Sequence, residues 1–499
     1  MSKKTKDLVR CPSYDGVENQ ETEMAEHIKS MFGEAGIPCT VEHIKENKMY
    51  DILFKDGLIP DFKSCTMKKG CVGVKGAVIS YIGDEAKEAS LIVDCSGKII
   101  SPGFIDIHMH EENLEIEKNQ FGISKMMLEM GVTTVLGGNC GNIRQPVARF
   151  RQFIEEKGGS PVNYMLLTGY NTYREKVGVD KYEAATPSQQ EEIRKYMIQD
   201  LEDGAFGISF GLEYHPGISY EEMLFAADTS DDPNHLVSAH YRRDCITDID
   251  SVEEMVRFAK EIKQKFQISH LSSCSAFGKM RESLDVINKA MDEEPGLNYD
   301  TYPYNAFSTR IGTAVFDDGC FEAWNKTYSD ILLAGEPYAN TRCTEEIFND
   351  ARTNYPDMLA IAFVMNEDEI REAITNGKGM IGSDGLITKG KGHPRAAGTF
   401  PRVLGKYVRE EKALTMIDAL RKMTLEPAER LGLVNKGRLA EGCDADITVF
   451  DPETIIDRAD FSHIERPEGI ELVTIGGKIA LKDGVITDES AGRFIPYRN

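Results

Sequence analysis

The chain has 499 residues, with 82 acidic and 58 basic side chains and a formal charge of −24. A surface that acidic repels nucleic acid and anionic membranes, so neither is expected as a partner. The length exceeds one small domain and suits a barrel of roughly 250 residues plus accessory structure.

Met1 to Arg10 is charged and no apolar run follows it, so no signal peptide is expected. No stretch approaches the roughly 18 apolar residues of a membrane span. The 11 cysteines are scattered and odd in number, which fits a reduced cytoplasmic compartment without structural disulfides. Residues 1–48 stand apart. Glu21 to Gly36 reads as an amphipathic helix with Met24, Ile28, Met31 and Phe32 on one face. The run from Pro12 through Glu21 to Val41 is similar to the opening segment of the co-catalytic zinc exopeptidases, but the chain lacks the metal ligands those enzymes carry later. We read it as an added helical extension, with partner docking and oligomerisation left open as its role. The sequence sets no oligomeric state.

From Tyr50 short β-rich segments alternate with glycine turns: Ile52–Phe54, Val72–Val74, Val78–Ile82 and Leu91–Val93. The texture returns at Asp446–Phe450 and Leu472–Ile475. Residues 49–100 and 433–499 are therefore expected to build one small β-sandwich from both ends of the chain. Between them, residues 101–432 alternate strands with helical patterns, which argues for parallel α/β. Eight strand candidates occur: Gly103–His108, Val132–Gly137, Asn163–Thr168, Ala205–Phe210, Leu236–His240, Gln267–Leu271, Leu297–Tyr302 and Gly379–Ser383. That pattern predicts a (β/α)8 barrel of the TIM type. The interval between the last two strands is too long for one helix, so about 307–360 is expected to form an inserted lid or subdomain.

Barrel sites lie at the C-terminal ends of the strands, and ligand-type residues collect there. The first strand runs into His108 and His110, which alternation places on one side. The second leads to Cys140, the fifth ends at His240, the sixth at His270 and the eighth at Asp384. Four imidazoles, a thiolate and a carboxylate suit zinc. His215 and His393 fall in loops past strand ends and are weaker candidates for lining a pocket.

These residues resemble the amidohydrolase superfamily. Pro102 to His110 matches its opening metal motif, and Gly131–Val135 with Asn139-Cys140-Gly141 is similar to the D-aminoacylase (N-acyl-D-amino-acid deacylase) branch, in which a cysteine replaces a carboxylated lysine. Gly204–Leu212, Ile268–Leu271, Asp300–Tyr304, Ser383–Gly385, His393–Arg395 and Gly442–Asp446 follow in order, from about residue 50 to the end. The resemblance implies a tight zinc on Cys140, His240 and His270. It also implies a second, weaker metal position on His108, His110, Cys140 and Asp384. Asp384 would be the catalytic proton shuttle, and Tyr302 and Ser308 would bind the substrate carboxylate. The family's carboxylate-binding lysine is Ser272 here. Arg242, Arg243, Lys279, Arg310 and Arg395 are candidate replacements, with Arg395 first.

The activity implied is zinc-dependent hydrolysis of a small linear amide, foremost deacylation of an N-acyl-D-amino acid. Ser272 keeps open an amidohydrolase acting on carbamoyl, dipeptide-like or cyclic hydantoin-like substrates. A metal-free assembly protein of the same fold is the remaining alternative, and the intact ligand set argues against it.

Overall fold

The computed structural model describes residues 49–115 and 121–498. The extension 1–48, with the helix expected at Glu21 to Gly36, lies outside the described residues. Every cysteine among the described residues is free. No helix among them is long and apolar enough to cross a membrane.

The order of elements is α/β. Eight parallel segments follow one another: Phe104–Asp106, Val132–Gly137, Asn163–Leu166 with Thr168–Gly169, Gly207–Gly211, Leu236–His240, Lys265–Ile268, Leu297–Thr301 and Met380–Ile381. The first three form one sheet, and Thr168–Gly169 begins a second that continues in sequence order to Met380–Ile381. The ends also meet. Met109 bridges Gly385 in parallel, Asp384 N donates to His108 O at 2.7 Å, and His110 N donates to Gly385 O at 3.0 Å. Asp106 locks this junction, because its Oδ1 accepts from His108 N at 3.1 Å and from Ser383 N at 2.9 Å.

Strand and helix identities follow from local chemistry. The parallel strands are buried along their length and rich in Val, Ile and Leu, as strands covered on both faces must be. The Pro187–Glu202 helix begins with proline at its first turn, and Thr186 and Gln189 form a capping box before it, a cap worth about 1 kcal/mol. The Asp250–Glu261 helix buries Val252, Met255 and Phe258, the spacing of one helical face.

Strands from both ends of the chain share one nine-stranded sheet. Ile99–Pro102 joins them: it pairs in parallel with the Tyr50–Asp61 strand and antiparallel with Ile447–Phe450. Phe54, Val72, Ile79, Ile447 and Val449 bury their side chains in its core. The same Ile99–Pro102 strand leads straight into the first parallel strand, so this sheet anchors the start of the site-bearing region. Between the last two parallel strands, Phe307–Arg310, Ile331–Leu333, Thr341–Arg342 and Leu359–Ala362 form a separate four-stranded antiparallel sheet.

Candidate metal centre and active site

The side chains singled out in the sequence converge beyond the C-terminal ends of the parallel strands. His108, His110, Cys140 and Asp384 offer donor atoms within 4.8 Å of one another, and so do Cys140, His240 and His270. Cys140 belongs to both groups. Its Sγ lies 3.2 Å from His270 Nε2 and 3.4 Å from His108 Nε2. His240 Nδ1 is 2.9 Å from His270 Nε2, and His110 Nε2 is 3.0 Å from Asp384 Oδ1.

The backbone turns sharply to present these groups. Cys140, His270 and Asp384 have φ of 52°, 33° and 50°, the left-handed region that residues with a Cβ seldom adopt. Such strain persists only where surroundings enforce it, and it concentrates at functional sites.

Neighbouring groups fix which imidazole nitrogen faces the cluster. His240 Nε2–H donates to Glu213 Oε2 at 2.8 Å, which leaves Nδ1 toward His270. His270 Nδ1–H donates to Ser273 Oγ at 2.7 Å, which leaves Nε2 toward Cys140. His108 Nδ1 lies 2.9 Å from Asp300 Oδ1, and that oxygen also accepts from His270 N at 2.8 Å. Ligating histidines in metal sites are oriented in this manner.

The electrostatics suit a cation. Burial raises the Cys140 thiol, but the imidazoles of His270 and His108 outweigh it and bring the group well below the usual thiol range. Burial also raises Asp384, and the Arg395 guanidinium with His270 and His110 reverses this, holding the carboxyl well below the usual carboxylate range. A buried thiolate and carboxylate among four imidazoles form a donor set for a divalent cation, which would displace the protons the imidazoles otherwise carry.

Tyr302 and Ser308 stand beside this cluster, and so does Arg395. Arg395 Nη1 is 2.9 Å from Asp384 Oδ2, its Nη2 donates to Ser308 O at 3.0 Å, and its guanidinium carbon sits 4.7 Å from the centre of the Tyr302 ring. Tyr302 Oη, Ser308 Oγ and Arg395 Nε are buried and make no hydrogen bond. Unpaired buried polar atoms call for an explanation, and here three fall on adjoining side chains beside the donor cluster.

Ser272 is fully buried, and its hydroxyl is 3.4 Å from Tyr302 O. Arg242 is bound to Glu254, Arg243 to Asp248 and Lys279 to Glu282; none of the three lines the cavity at Asp384. That cavity, about 220 Å³, is lined by Arg310, Lys181, Tyr214, Ser308, His110 and Asp384. His215 also lines it, while His393 is buried behind, donating from Nε2 to Ala306 O at 3.0 Å. Sequence reasoning missed Glu213, Lys181 and the buttressing role of Asp300, whose partners are distant in the chain.

The amidohydrolase family model matches residues 99–292 and 335–480. The D-aminoacylase of Alcaligenes xylosoxydans xylosoxydans is 30% identical over 487 residues, spanning 90% of this chain and 98% of that protein. The crystal structure of the N-acyl-D-glutamate deacylase of Bordetella bronchiseptica, complexed with zinc and a phosphonate mimic of the tetrahedral intermediate, superposes with a TM-score of 0.80 at 27% identity, covering 90% of this chain and 100% of that one. A D-aminoacylase structure concerned with its binuclear metal centre gives a TM-score of 0.80 at 30% identity over the same shares. With a family model matching most of the chain and a relative 30% identical over nearly its whole length, the chain belongs to the amidohydrolase family.

Proposed function

We propose that the protein is a zinc-dependent hydrolase that deacylates an N-acyl-D-amino acid, releasing a carboxylate and the free D-amino acid. The observation that carries this reading is the pairing of two donor groups that share Cys140 with three unpartnered polar atoms on Tyr302, Ser308 and Arg395. Cys140, His240 and His270 would hold the tight zinc, and His108, His110, Cys140 and Asp384 a second, weaker metal. When bound there, zinc supplies Lewis acidity that activates water and polarises a carbonyl.

The protein's own groups complete the chemistry. Asp384 is kept ionised by Arg395, so its carboxylate accepts a proton from the attacking water and later delivers it to the leaving amine. General base followed by general acid is typically worth about 10²–10⁴ in rate. Tyr302 Oη, Ser308 Oγ and Arg395 Nε donate to the substrate carboxylate. Arg310 and Lys181 line the cavity and supply positive charge where Ser272 supplies none.

We read the parallel strands as a closed (β/α)8 barrel of residues 101–432, on the strength of the Met109–Gly385 bridge. The four-stranded segment at about 307–360 is read as an inserted lid or subdomain. Residues 49–100 and 433–499 are read as one β-sandwich, since Ile79 N donates to Cys443 O at 2.8 Å and Ala445 N to Ala77 O at 2.8 Å. A cytoplasmic enzyme acting on a small amide, without nucleic-acid or membrane partners, fits the charge.

The test is a panel of N-acetyl-D- and N-acetyl-L-amino acids, N-carbamoyl compounds and hydantoins, given to zinc-loaded protein while free amine is followed. Turnover of D substrates alone is the expected result. Zinc-loaded protein that turns over only carbamoyl or cyclic substrates overturns the deacylase reading and leaves the metal site intact.

A further inference from the structure

Cys140 sits in a loop whose shape depends on a carboxylate with no place in the chemistry above. Glu111 follows His110 directly and is 2% exposed. Its Oε2 accepts from Gly138 N at 2.7 Å and its Oε1 accepts from Arg144 N at 2.7 Å. One carboxylate thus bridges both ends of the segment that carries Cys140.

The segment could not hold its form unaided. Gly138, Cys140 and Gly141 have φ of 74°, 52° and 76°, which leaves backbone N–H groups turned inward without the partners a helix or strand would give them. The two glycines are obligatory. A Cβ on Gly138 would lie 2.2 Å from Leu167 O, and one on Gly141 would lie 2.0 Å from Asn171 Oδ1. A second grip comes from the opposite side, where Ser209 Oγ accepts from Gly141 N at 3.0 Å and donates to Gly138 O.

We propose that Glu111 is a positioning residue that aims the Cys140 sulfur, the one donor common to both groups, at the bound metal, with Ser209 as its counterpart across the loop. A carboxylate is suited to the task because each oxygen accepts a strong, charge-assisted bond from a backbone amide. Glutamine matches its size but presents a second donor where an amide N–H already points, so one of the two grips is lost. Glu112, the next residue, is the internal control. It is also buried, but it accepts from Ser124 N at 2.8 Å and from the Tyr164 hydroxyl, and it does not touch the loop.

The inference rests on Cys140 being a metal ligand, and the experiment separates the two claims. The protein is loaded with cobalt(II), and the near-ultraviolet sulfur-to-cobalt charge-transfer band is recorded for wild type, Glu111→Gln, Ser209→Ala and Glu112→Gln, with the rate of cobalt loss to a chelator. Wild type is expected to show the band. Glu111→Gln is expected to shift or weaken it and to hold the metal about 10–100-fold less tightly, the usual cost of losing an outer-shell partner. Ser209→Ala gives the same direction of change should Glu111→Gln fail to fold. Glu112→Gln is expected to keep the wild-type band. A wild-type band left unchanged in folded Glu111→Gln overturns the positioning role alone. No band in wild type overturns the ligand role of Cys140 and the inference with it.

Discussion

The two rims of the parallel strands bury charge in opposite ways. At the N-terminal rim two buried cations, Arg430 and Lys422, are answered by backbone or side-chain oxygen. Arg430 donates to Gln267 Oε1 at 3.1 Å, to Gly296 O at 2.7 Å and to Phe266 O. Lys422 donates to Lys378 O at 2.8 Å and to Gly379 O at 2.9 Å. At the C-terminal rim, Arg395 is as deeply buried, yet its Nε is unanswered, as are Tyr302 Oη and Ser308 Oγ beside it. Burial alone therefore does not distinguish a structural charge from a functional one; unfilled hydrogen-bonding capacity gathered beside the donor cluster is the added mark of the C-terminal rim. An answered polar atom keeps its hydrogen bond inside the fold, whereas an unanswered one gains its partner only when a ligand arrives.

The largest expected effect is at Asp384. Asp384→Asn keeps an oxygen for Arg395 to donate to, so the fold survives, and it leaves Cys140, His240 and His270 to retain zinc. It is expected to lower kcat by about 10²–10⁴. Turnover numbers measured beside zinc content check this, and near-normal kcat in zinc-loaded Asp384→Asn removes Asp384 as the proton shuttle.

Tyr302→Phe sharpens the contrast between the rims. Deleting a buried hydroxyl that bonds to nothing costs no folding stability, while losing its bond to a substrate carboxylate costs about 1–3 kcal/mol. The expected outcome is a KM raised by roughly fivefold to a hundredfold or more with a melting temperature equal to or above that of wild type. A lowered melting temperature with unchanged KM would place Tyr302 among the structural groups.

What the sequence revealed about these rims follows the reach of each interaction. His108, His110, Cys140, His240, His270 and Asp384 were legible because each ends a β-rich run, and strand ends are local features. All six come together in space. Arg395 was legible as a residue, but its hold on Asp384 was not, because it depends on how the turn after the eighth strand folds back. Glu213 and Asp300 were hidden as positioning groups: nothing near Glu213 names His240, and His108 lies far from Asp300 along the chain. The fusion of both chain ends into one nine-stranded sheet was legible only as a shared texture, since pairing partners are set by tertiary contacts and not by local pattern.

The smallest expected effect comes from the N-terminal rim and concerns pH. Burial lowers the Lys422 ammonium from its usual 10.5 to about 8. Below pH 8 the folded and unfolded states both carry the proton, and the full cost of burying the charge is present. Between about 8 and 10.5 the folded protein has released a proton that the unfolded chain still holds, so this group makes stability rise with pH, by at most about 1.4 kcal/mol per unit. Lys422→Met removes the titration and also leaves the carbonyls of Lys378 and Gly379 without this donor. The stability of wild type relative to Lys422→Met, from urea unfolding at closely spaced pH values, should therefore climb across that window and stay flat below it. A difference that stays constant throughout would mean that the two carbonyl bonds hold the ammonium charged in the fold. The N-terminal rim would then satisfy its cations even more completely than the contrast with Arg395 requires.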